Sequence, residues 1–546
     1  MQNRKVSCPT FSLFPRRKRG KARREQGQAA LLAVLLIPVA IAGVLLVFNT
    51  GQLTSSKLRV QNAADAAAFS AMELQARQMN LDAYLNRAML TNQIAIGQAV
   101  SILSWSRYVR QAGENIQTPL RAIQAVASLI GAGGAVEAYR QAIEANAKIV
   151  YATGQVYALP FLAVASGADV AYSGASEAFN LALANSTPNG ALQKTVEQIV
   201  RLNAGPKARV LNFTAAGLAT TVAPYWAARR NYVTRWGENA DANGSDPGGR
   251  ARMASMINQG SQAFTVNRDH DVERPLTINA LVVRIGTHKS GGSQFAPNAN
   301  SDYVWSGADS VSTQVQIFGP FCGRIIPRLC WKTTYSDSWA RGGSWAGDQG
   351  NFDYNASGPR NWSDPRVNPQ ASGEAKTVQW SSFPVYQGAW SRDSRGMSRI
   401  VSEYASRDMA LLGQKGISPY RDLVWQDQRP GADLTDSAPR YIVVVDLPKT
   451  EVRDSVTALG ISHDSDATNT RLGWLNMHLT TQGAGKNPGV RAAAAAQVYF
   501  RRPAELWPRS DGLDERANLF SPFWTARLVD LTPTEKAQVL ALNIAE

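Results

Sequence analysis

The run AALLAVLLIPVAIAGVLLVF (29–48) decides where the rest of this chain lies. It contains no charged residue, and twenty helical residues cover about 30 Å, the thickness of the hydrocarbon layer of a bilayer. After a short polar hinge, NTGQ (49–52), the segment KLRVQNAADAAAFSAMELQAR (57–77) contains no Gly or Pro. The pattern predicts a membrane anchor that passes into an Ala-rich helix.

Two other interpretations of residues 29–48 are a buried core helix and a cleaved secretory signal. Twenty residues without a charge are unusual in the core helix of a soluble domain. A cleaved signal has an apolar core of about 7–15 residues before a small-residue cleavage site, whereas this run is longer and ends VFNTG (47–51). We therefore expect a retained anchor, in which Pro38 removes one backbone hydrogen bond in mid-span.

The N-terminal flank of the anchor is strongly basic. Residues 1–28 hold nine Lys and Arg against one acid, Glu25. Cytoplasmic flanks carry such an excess, so we expect residues 1–28 in the cytoplasm and the bulk of the chain in the periplasm. Beyond this tail the chain has 48 of its 57 basic and 41 of its 42 acidic residues. The high pI of about 9.8 therefore does not indicate a nucleic-acid-binding protein.

The anchor and the segment after it resemble the TadE/TadG-like pilus-assembly proteins of the tight-adherence (Flp pilus) secretion system. The residues that carry the resemblance are Gly27, Gln28, Pro38, Gln61, Asn62, Ala63, Ala64 and Asp65. The resemblance covers about residues 23–75. It implies a bacterial inner-membrane protein with a helical stem and a periplasmic head. It also implies a non-enzymatic, structural or assembly role, with other pilus-assembly or secretion-apparatus proteins as partners.

Two features associated with this family or its relatives are expected to be missing. Prepilin-type cleavage after Gly27 would require Glu five positions later, where this chain has Leu32, so we expect an uncleaved N-terminus. Many TadG-like proteins carry a von Willebrand A domain with a metal site after a buried strand. The nearest match here, Asp446-Leu447-Pro448, has Pro where that site requires Ser. No metal site is therefore predicted.

A face of small residues follows the anchor. Ala63, Ala67 and Ala71 are spaced four apart and lie on one side of the predicted helix, where they would let another element approach closely. This face either packs inside the same subunit or contacts a partner or filament, and the sequence leaves both open.

Amide side chains recur along the same helix. They are Asn80, Asn86, Asn92 and Gln93. Such residues are either solvated or form a polar layer that sets the register of a helix pair.

The predicted fold class is α+β, with a change of composition near residue 237. A transmembrane helix (29–48) continues into a stem of Ala-rich helical hairpins (52–236), and a linker (237–275) leads to a strand-rich, Trp/Gly-rich head (276–546). Strand signals fall at 276–285, 311–318, 377–380, 441–445 and 497–500. Hairpin helices are expected at 119–130, 135–152, 156–184, 190–203 and 206–235, and later helices at 394–413 and 533–544.

The residues that carry reactive chemistry form no recognised active site. Cys322 and Cys330 flank the short loop in FCGRIIPRLC (321–330) and are expected to form a disulfide in the oxidising periplasm, whereas Cys8 stays reduced. A metal site there would lack the further ligands it needs. The four His residues match no metal-binding spacing. We therefore predict no catalytic residue, no metal and no cofactor.

Eight of the fourteen tryptophans fall between residues 300 and 430. Aromatic rings stack on sugars, so one alternative is a membrane-tethered protein whose head binds cell-wall glycan. The other interpretation is that these residues pack the interior of Gly-rich β structure. The sequence favours a structural component of a pilus or secretion apparatus, and it leaves open whether the chain also forms a homo-oligomer.

Overall fold

The computed structural model describes residues 26–184, 190–236, 249–347 and 489–545 with short gaps, together with 405–409, 416–424, 438–448 and 451–453. The helices are α1 (Gln26–Asn115), α2 (Gln117–Ser128), α3 (Gly133–Ala184), α4 (Ala191–Ala204), α5 (Ala215–Gly217), α6 (Ala223–Tyr232), α7 (Gly249–Gly260), α8 (Ala263–Val266) and α9 (Pro533–Ala545). A 3-10 turn (Leu211–Phe213) precedes α5, and a π turn (Leu218–Val222) joins α5 to α6.

Helix α1 is the longest element, with 90 residues in one unbroken helix of about 135 Å. The polar segment 49–52, expected as a hinge, is helical. The hydroxyl groups in and just after this segment bond within the helix: Thr50 Oγ1 donates to the carbonyl oxygen of Leu46 at 2.9 Å, and Thr54 Oγ1 donates to that of Thr50 at 2.8 Å. Because these side chains satisfy themselves locally, polar composition alone does not interrupt the helix.

Helix α3 runs antiparallel to α1 as one helix, although two were expected at 135–152 and 156–184. It continues through Pro160. Position 113 of α1 lies against Ala147, and Asn92 hydrogen-bonds Asp169 farther along α3. Contacts on both sides of the proline hold the two halves of α3 in line along α1, which offsets the hydrogen bond that Pro160 removes.

The strands in the described part of the chain form three sheets. The first has the order β1-β10-β11-β12, all antiparallel, and comprises β1 (Arg209–Val210), β10 (Arg440–Pro448), β11 (Gly489–Phe500) and β12 (Trp524–Val529). The second pairs β2 (Val233–Trp236) with β9 (Tyr420–Leu423). The third has the order β3-β5-β6-β7-β8 with β4 beside β5, and comprises β3 (His270–Val272), β4 (Ile278–Asn279), β5 (Val283–Pro297), β6 (Tyr303–Cys322), β7 (Arg328–Ala346) and β8 (Ala405–Met409).

Helix α1 contributes to two of the hydrophobic clusters in the described part of the chain, and a smaller one lies between the first sheet and α9. In the first, the Ala face of α1 packs with α4 and with the strands β10 and β11 of the first sheet. In the second, Ile96, Val100 and Leu103 of α1 pack with Phe295 and Trp305 of the third sheet. The ranges expected as stem and head therefore share their interior, with α1 as the element around which the sheets pack.

The α+β class is confirmed, and several further local predictions differ from the structure. The range 206–235, expected as one helix, contains β1, short helical segments and most of β2, and the range 237–275, expected as a linker, contains α7 and α8. Residues 405–409, inside a range expected to be helical, form β8, which pairs in parallel with β7. Strand β11 begins at Gly489 rather than near 497, because its Ala run packs on α1 and this contact overrides the low strand propensity of Ala. The expected strand 377–380 lies outside the described residues, and the expected C-terminal helix is observed as α9.

Candidate functional site

The N-terminal part of α1 exposes an apolar surface. Apart from Leu45, which is half-buried, the large apolar side chains between residues 32 and 48 are 38–71% exposed. Exposing these apolar side chains to water is unfavourable, whereas lipid accommodates them. A helix can also cross lipid because its backbone groups are hydrogen-bonded internally. Among the described residues, α1 and α3 are the helices long and apolar enough to cross a membrane. The N-terminal part of α1 is thus a candidate membrane span.

The small residues of α1 that follow the span are fully buried within this one chain. Ala63, Ala67 and Ala71 have no exposed surface, and they share a cluster with Ala494 and Ala496 of β11. Small side chains on both elements allow the helix to lie close to the sheet. The first interpretation of this face, packing inside the subunit, accounts for its burial.

The other motif residues lie around this face. Gln61 Nε2 donates to Asp65 Oδ1 at 2.9 Å and to the carbonyl oxygen of Ala493 in β11 at 3.3 Å, so it ties α1 to the sheet. Asn62 is exposed, and Ala64 is buried. Pro38 lies inside the helix. The side chains of Gly27 and Gln28 lie outside the described residues.

Two amide side chains farther along α1, those of Asn80 and Asn86, form hydrogen bonds with backbone groups from the C-terminal half of the chain. Asn80 Nδ2 donates to the carbonyl oxygen of Trp524 at 2.8 Å and Asn80 Oδ1 accepts from its N–H at 2.9 Å, which extends the edge of β12. Asn86 Nδ2 donates to the carbonyl oxygens of Arg421 and Leu519 at 2.7 and 2.6 Å. These amides are therefore structural ties rather than solvated groups.

A buried polar layer joins α1 to α3 and α6. Asp82 accepts hydrogen bonds from Ser176 Oγ at 2.6 Å and from Asn180 Nδ2 at 3.2 Å. Arg229 of α6 donates to Asn180 Oδ1 and, at 2.9 Å, to Gln75 Oε1. Burial raises the pKa of Asp82, while its hydrogen bonds and the nearby guanidinium groups oppose that shift. The layer fixes how the three helices sit relative to one another.

A second buried carboxylate lies between α1 and α3, farther along α1 from the candidate span than Asp82. Asp169 of α3 accepts hydrogen bonds from Asn92 Nδ2 at 2.6 Å and Gln93 Nε2 at 2.5 Å. Burial raises the pKa of Asp169 to about 6, against the lowering effect of the two amides. Asn92 and Gln93 therefore form the polar layer of a helix pair, which is one of the two roles that the sequence left open.

A buried charge cluster joins α1 to the third sheet. Asp309 of β6 accepts from Arg268 Nε at 2.8 Å and Arg268 Nη2 at 2.9 Å, from Lys289 Nζ, and from Ser104 Oγ of α1 at 2.6 Å. Burial alone would raise the pKa of Asp309, but the two cations hold it below its usual value. Removing the carboxylate would leave two buried positive charges without their counter-ion, so this cluster is essential to the packing.

A family model described as Flp pilus-assembly TadE/G-like matches residues 27–77. The N-terminal segment of this chain is TadE/G-like. The match confirms the resemblance in the sequence, and it extends from the exposed apolar part of α1 to the end of its Ala face. Comparison with curated proteins and with solved structures gave no match for the chain. The TadE/G-like segment thus comprises the candidate span and the part of α1 on which the first sheet packs.

Beyond the TadE/G-like segment, α1 meets the third sheet at two glycines. A Cβ at Gly97 would lie 2.4–2.7 Å from ring carbons of Trp305, and a Cβ at Gly342 of β7 would lie 2.3 Å from the backbone N of Tyr108. Neither position has room for a side chain. The packing roles of these glycines, of Asp82 and of Asp309 were not predicted from the sequence. The available signal was a Gly or charged residue inside an element, in α1 for Gly97 and Asp82 and in strands for Asp309 and Gly342.

The tryptophan-rich region supplies interior packing where its side chains are described. Trp305 is fully buried, with its ring centroid 5.2 Å from that of Phe295. Trp331 is half-buried, 5.2 Å from the ring of Phe318 and under the guanidinium of Arg284 at 4.1 Å. The other six tryptophans between 300 and 430 have side chains outside the described residues. The ring of Trp305 is therefore closed to a sugar, and one face of Trp331 is covered by Arg284.

The remaining candidate residues are placed as follows. Cys330 is disulfide-bonded. The side chain of Cys322, the last residue of β6, lies outside the described residues, so the Cys322–Cys330 pairing stays a prediction. Asp446, the residue nearest to a von Willebrand metal motif, accepts a hydrogen bond from Arg491 Nε at 3.0 Å. Among the described residues no group of three or more His, Cys, Asp or Glu is arranged to hold a metal ion.

Proposed function

We propose that this protein is a single-pass, non-enzymatic structural component of a Flp/Tad pilus or secretion apparatus in the bacterial inner membrane. Its N-terminal tail lies in the cytoplasm and its folded body in the periplasm. The observation that carries the proposal is the continuity of α1. The TadE/G-like segment is exposed and apolar over 32–48 and becomes the core of the body from about residue 60.

An unbroken helix makes a rigid connection between membrane and body. From Phe48 to Asn115 it extends about 100 Å. Both main sheets pack directly on this segment of α1, and the amide ties and buried charge clusters described above fix their register. Such a body would hold its surfaces at defined heights above the membrane, as an assembly component requires.

The described acidic groups whose pKa is raised by burial lie in the interior of the protein and not in an open cleft. Asp82 and Asp169 are almost fully buried and are hydrogen-bonded to amides or hydroxyls of neighbouring helices. This arrangement supports a structural role. Other proteins of the apparatus are the proposed partners, and the basic tail favours contact with the anionic surface of the cytoplasmic leaflet.

Labelling with a membrane-impermeant maleimide tests the topology. Leu202 in α4 is exposed, so Leu202→Cys in a Cys8→Ser background provides a thiol on the body. In spheroplasts with an intact inner membrane, we expect Leu202→Cys to be labelled. In otherwise native protein, Cys8 should be labelled only after the membrane is permeabilised. The reverse pattern would overturn the proposed orientation.

The assembly role needs a separate test. Deleting the protein should abolish Flp-type appendages, and full-length protein should restore them. A deletion strain that still builds normal appendages would overturn the role in assembly while leaving the membrane topology untouched.

A further inference from the structure

Helix α3 contains an uncharged run of twenty residues that one neighbour only half covers. The run is IVYATGQVYALPFLAVASGA (149–168). Its inner side packs on α1 through Ala158, Leu162 and Ala165, which are buried. Its outer side carries Ile149, Val156, Tyr157 and Val164. These four side chains are 62–75% exposed.

The exposed residues form a continuous surface. Positions 149, 156, 157 and 164 recur at helical spacing and so lie in one stripe along the helix, which we call the α3 stripe. A groove of about 610 Å³ runs beside it, between α3 and α1. Small residues such as Ala99 and Gly154 line the groove together with the rings of Trp105 and Phe161. The stripe and groove together offer an apolar ridge next to an apolar depression.

The bilayer that holds residues 29–48 does not reach the α3 stripe. Position 154 of α3 lies against Ser106 of α1, and Ser106 is about 87 Å along the helix from Phe48. A hydrocarbon layer about 30 Å thick cannot hold both segments. The stripe is apolar enough to suit lipid, yet the fold places it far from the membrane that anchors the chain. Its partner is therefore a protein surface.

We propose that the α3 stripe is the contact between two copies of this chain, an inference that rests on the single-pass anchoring proposed above. In a closed, symmetric dimer, two copies inserted in the same direction are related by a twofold axis along the membrane normal. Such an axis brings residues of equal height together, so each stripe meets the other stripe. The two apolar stripes then pack against each other across the axis.

Charge and area are consistent with this contact. The run from Ile149 to Ala168 contains no charged residue. Two cations lie near its N-terminal end, and each is paired with an acid: Lys148 with Glu144 at 2.7 Å, and Arg110 of α1, which stacks on Tyr151, with Glu114 at 2.8 Å. Like charges therefore do not oppose each other across the axis. A strip about 30 Å long and two helices wide covers roughly 600 Å² per copy, against about 800 Å² in a standard stable interface. We expect a dimer that forms readily in the membrane, where both copies are confined, and dissociates on dilution in detergent.

Crosslinking of the full-length chain in native membranes tests the contact. Val156→Cys and Val164→Cys, each in a Cys8→Ser background, should give a covalent dimer with a short bis-maleimide. The matched control is Leu202→Cys, since Leu202 is 76% exposed and lies on α4, outside the stripe. The control and the Cys8→Ser chain without a new cysteine should remain monomeric.

Adding Tyr157→Lys to the crosslinking variants should reduce the dimer at least tenfold, because two ammonium groups would meet across the axis. Adding Leu202→Lys should leave it unchanged. Because Tyr157 is 75% exposed, the lysine variant should keep the protease resistance of the unchanged chain.

Three outcomes overturn the dimer: no crosslink at Val156→Cys or Val164→Cys, an equal crosslink at Leu202→Cys, or a crosslink only to a different protein. These outcomes leave the labelling and deletion results unaffected. Failure of the dimer is thus distinguishable from failure of the proposed function.

Discussion

Replacing Gly97 by Ala tests the close contact between α1 and the third sheet. The new Cβ would lie 2.4–2.7 Å from three ring carbons of Trp305. Carbon atoms in contact are normally about 3.5–4.0 Å apart. Trp305 is fully buried and packs on the ring of Phe295, so it cannot turn out into water. The side chain or the helix must therefore shift.

The magnitude follows from two opposing effects. Ala stabilises a helix interior by about 1 kcal/mol relative to Gly. Overpacking a core costs about 1–3 kcal/mol, and overlap with three rigid ring atoms favours the upper end. We expect Gly97→Ala to lower the free energy of unfolding by about 1–2 kcal/mol. The matched control is Gly174→Ala in α3, where nothing lies within 4 Å of the new Cβ. That change should leave stability unchanged or raise it by up to about 1 kcal/mol.

The assay is urea unfolding of the full-length chain in detergent micelles, followed by far-UV circular dichroism. A Trp305→Leu background should make Gly97→Ala less costly, because the smaller side chain leaves room for the new methyl group. If Gly97→Ala proved as stable as Gly174→Ala, the contact between α1 and Trp305 would be refuted.

Three further predictions concern the interior and the disulfide. Ala67→Leu should lower the free energy of unfolding by about 1–3 kcal/mol, because Ala67 is fully buried, whereas Asn62→Leu on the exposed side of α1 should have little effect in the same urea assay. Burial raises the pKa of Asp169 to about 6 from 3.8, so the folded state holds this proton more tightly than the unfolded state. Stability should fall by up to about 3 kcal/mol as pH rises from about 4 to 6, and Asp169→Asn should remove that part of the pH dependence; an unchanged slope would contradict the assignment. Non-reducing peptide mass spectrometry should recover Cys322 joined to Cys330, and two free thiols from protein made in its native compartment would refute the pairing.

Several features follow from local sequence. The candidate span needs only an uncharged run of bilayer length, and the helical segment 57–77 that follows needs only a run without Gly or Pro. Helix α9 has a capping pair that the sequence shows directly: the Glu535 N–H donates to Thr532 Oγ1, and the Thr532 N–H donates to Glu535 Oε2 at 2.7 Å. Such signals lie within a few residues of the elements they specify.

The partners of these elements could not be predicted in the same way. The small residues at 63, 67 and 71 are compatible with packing inside the subunit or against another chain, because Ala permits close approach without specifying what approaches. Strand β11, which covers them, lies more than 400 residues away, and its Ala run carries a weak strand signal. The requirement for Gly at 97 appears only when Trp305 is placed on α1.

The sequence by itself determined the candidate membrane span, the long helix that leaves it, the α+β class and the TadE/G-like character of residues 27–77, since each depends on composition or spacing along a short stretch. Only the tertiary structure decided that α1 runs through the centre of the body and that Asp82, Asp169 and Asp309 are buried and partnered. It also decided that one side of α3 remains uncovered. Burial and partnership depend on contacts between residues far apart in the chain, and local spacing carries no information about which of these contacts form.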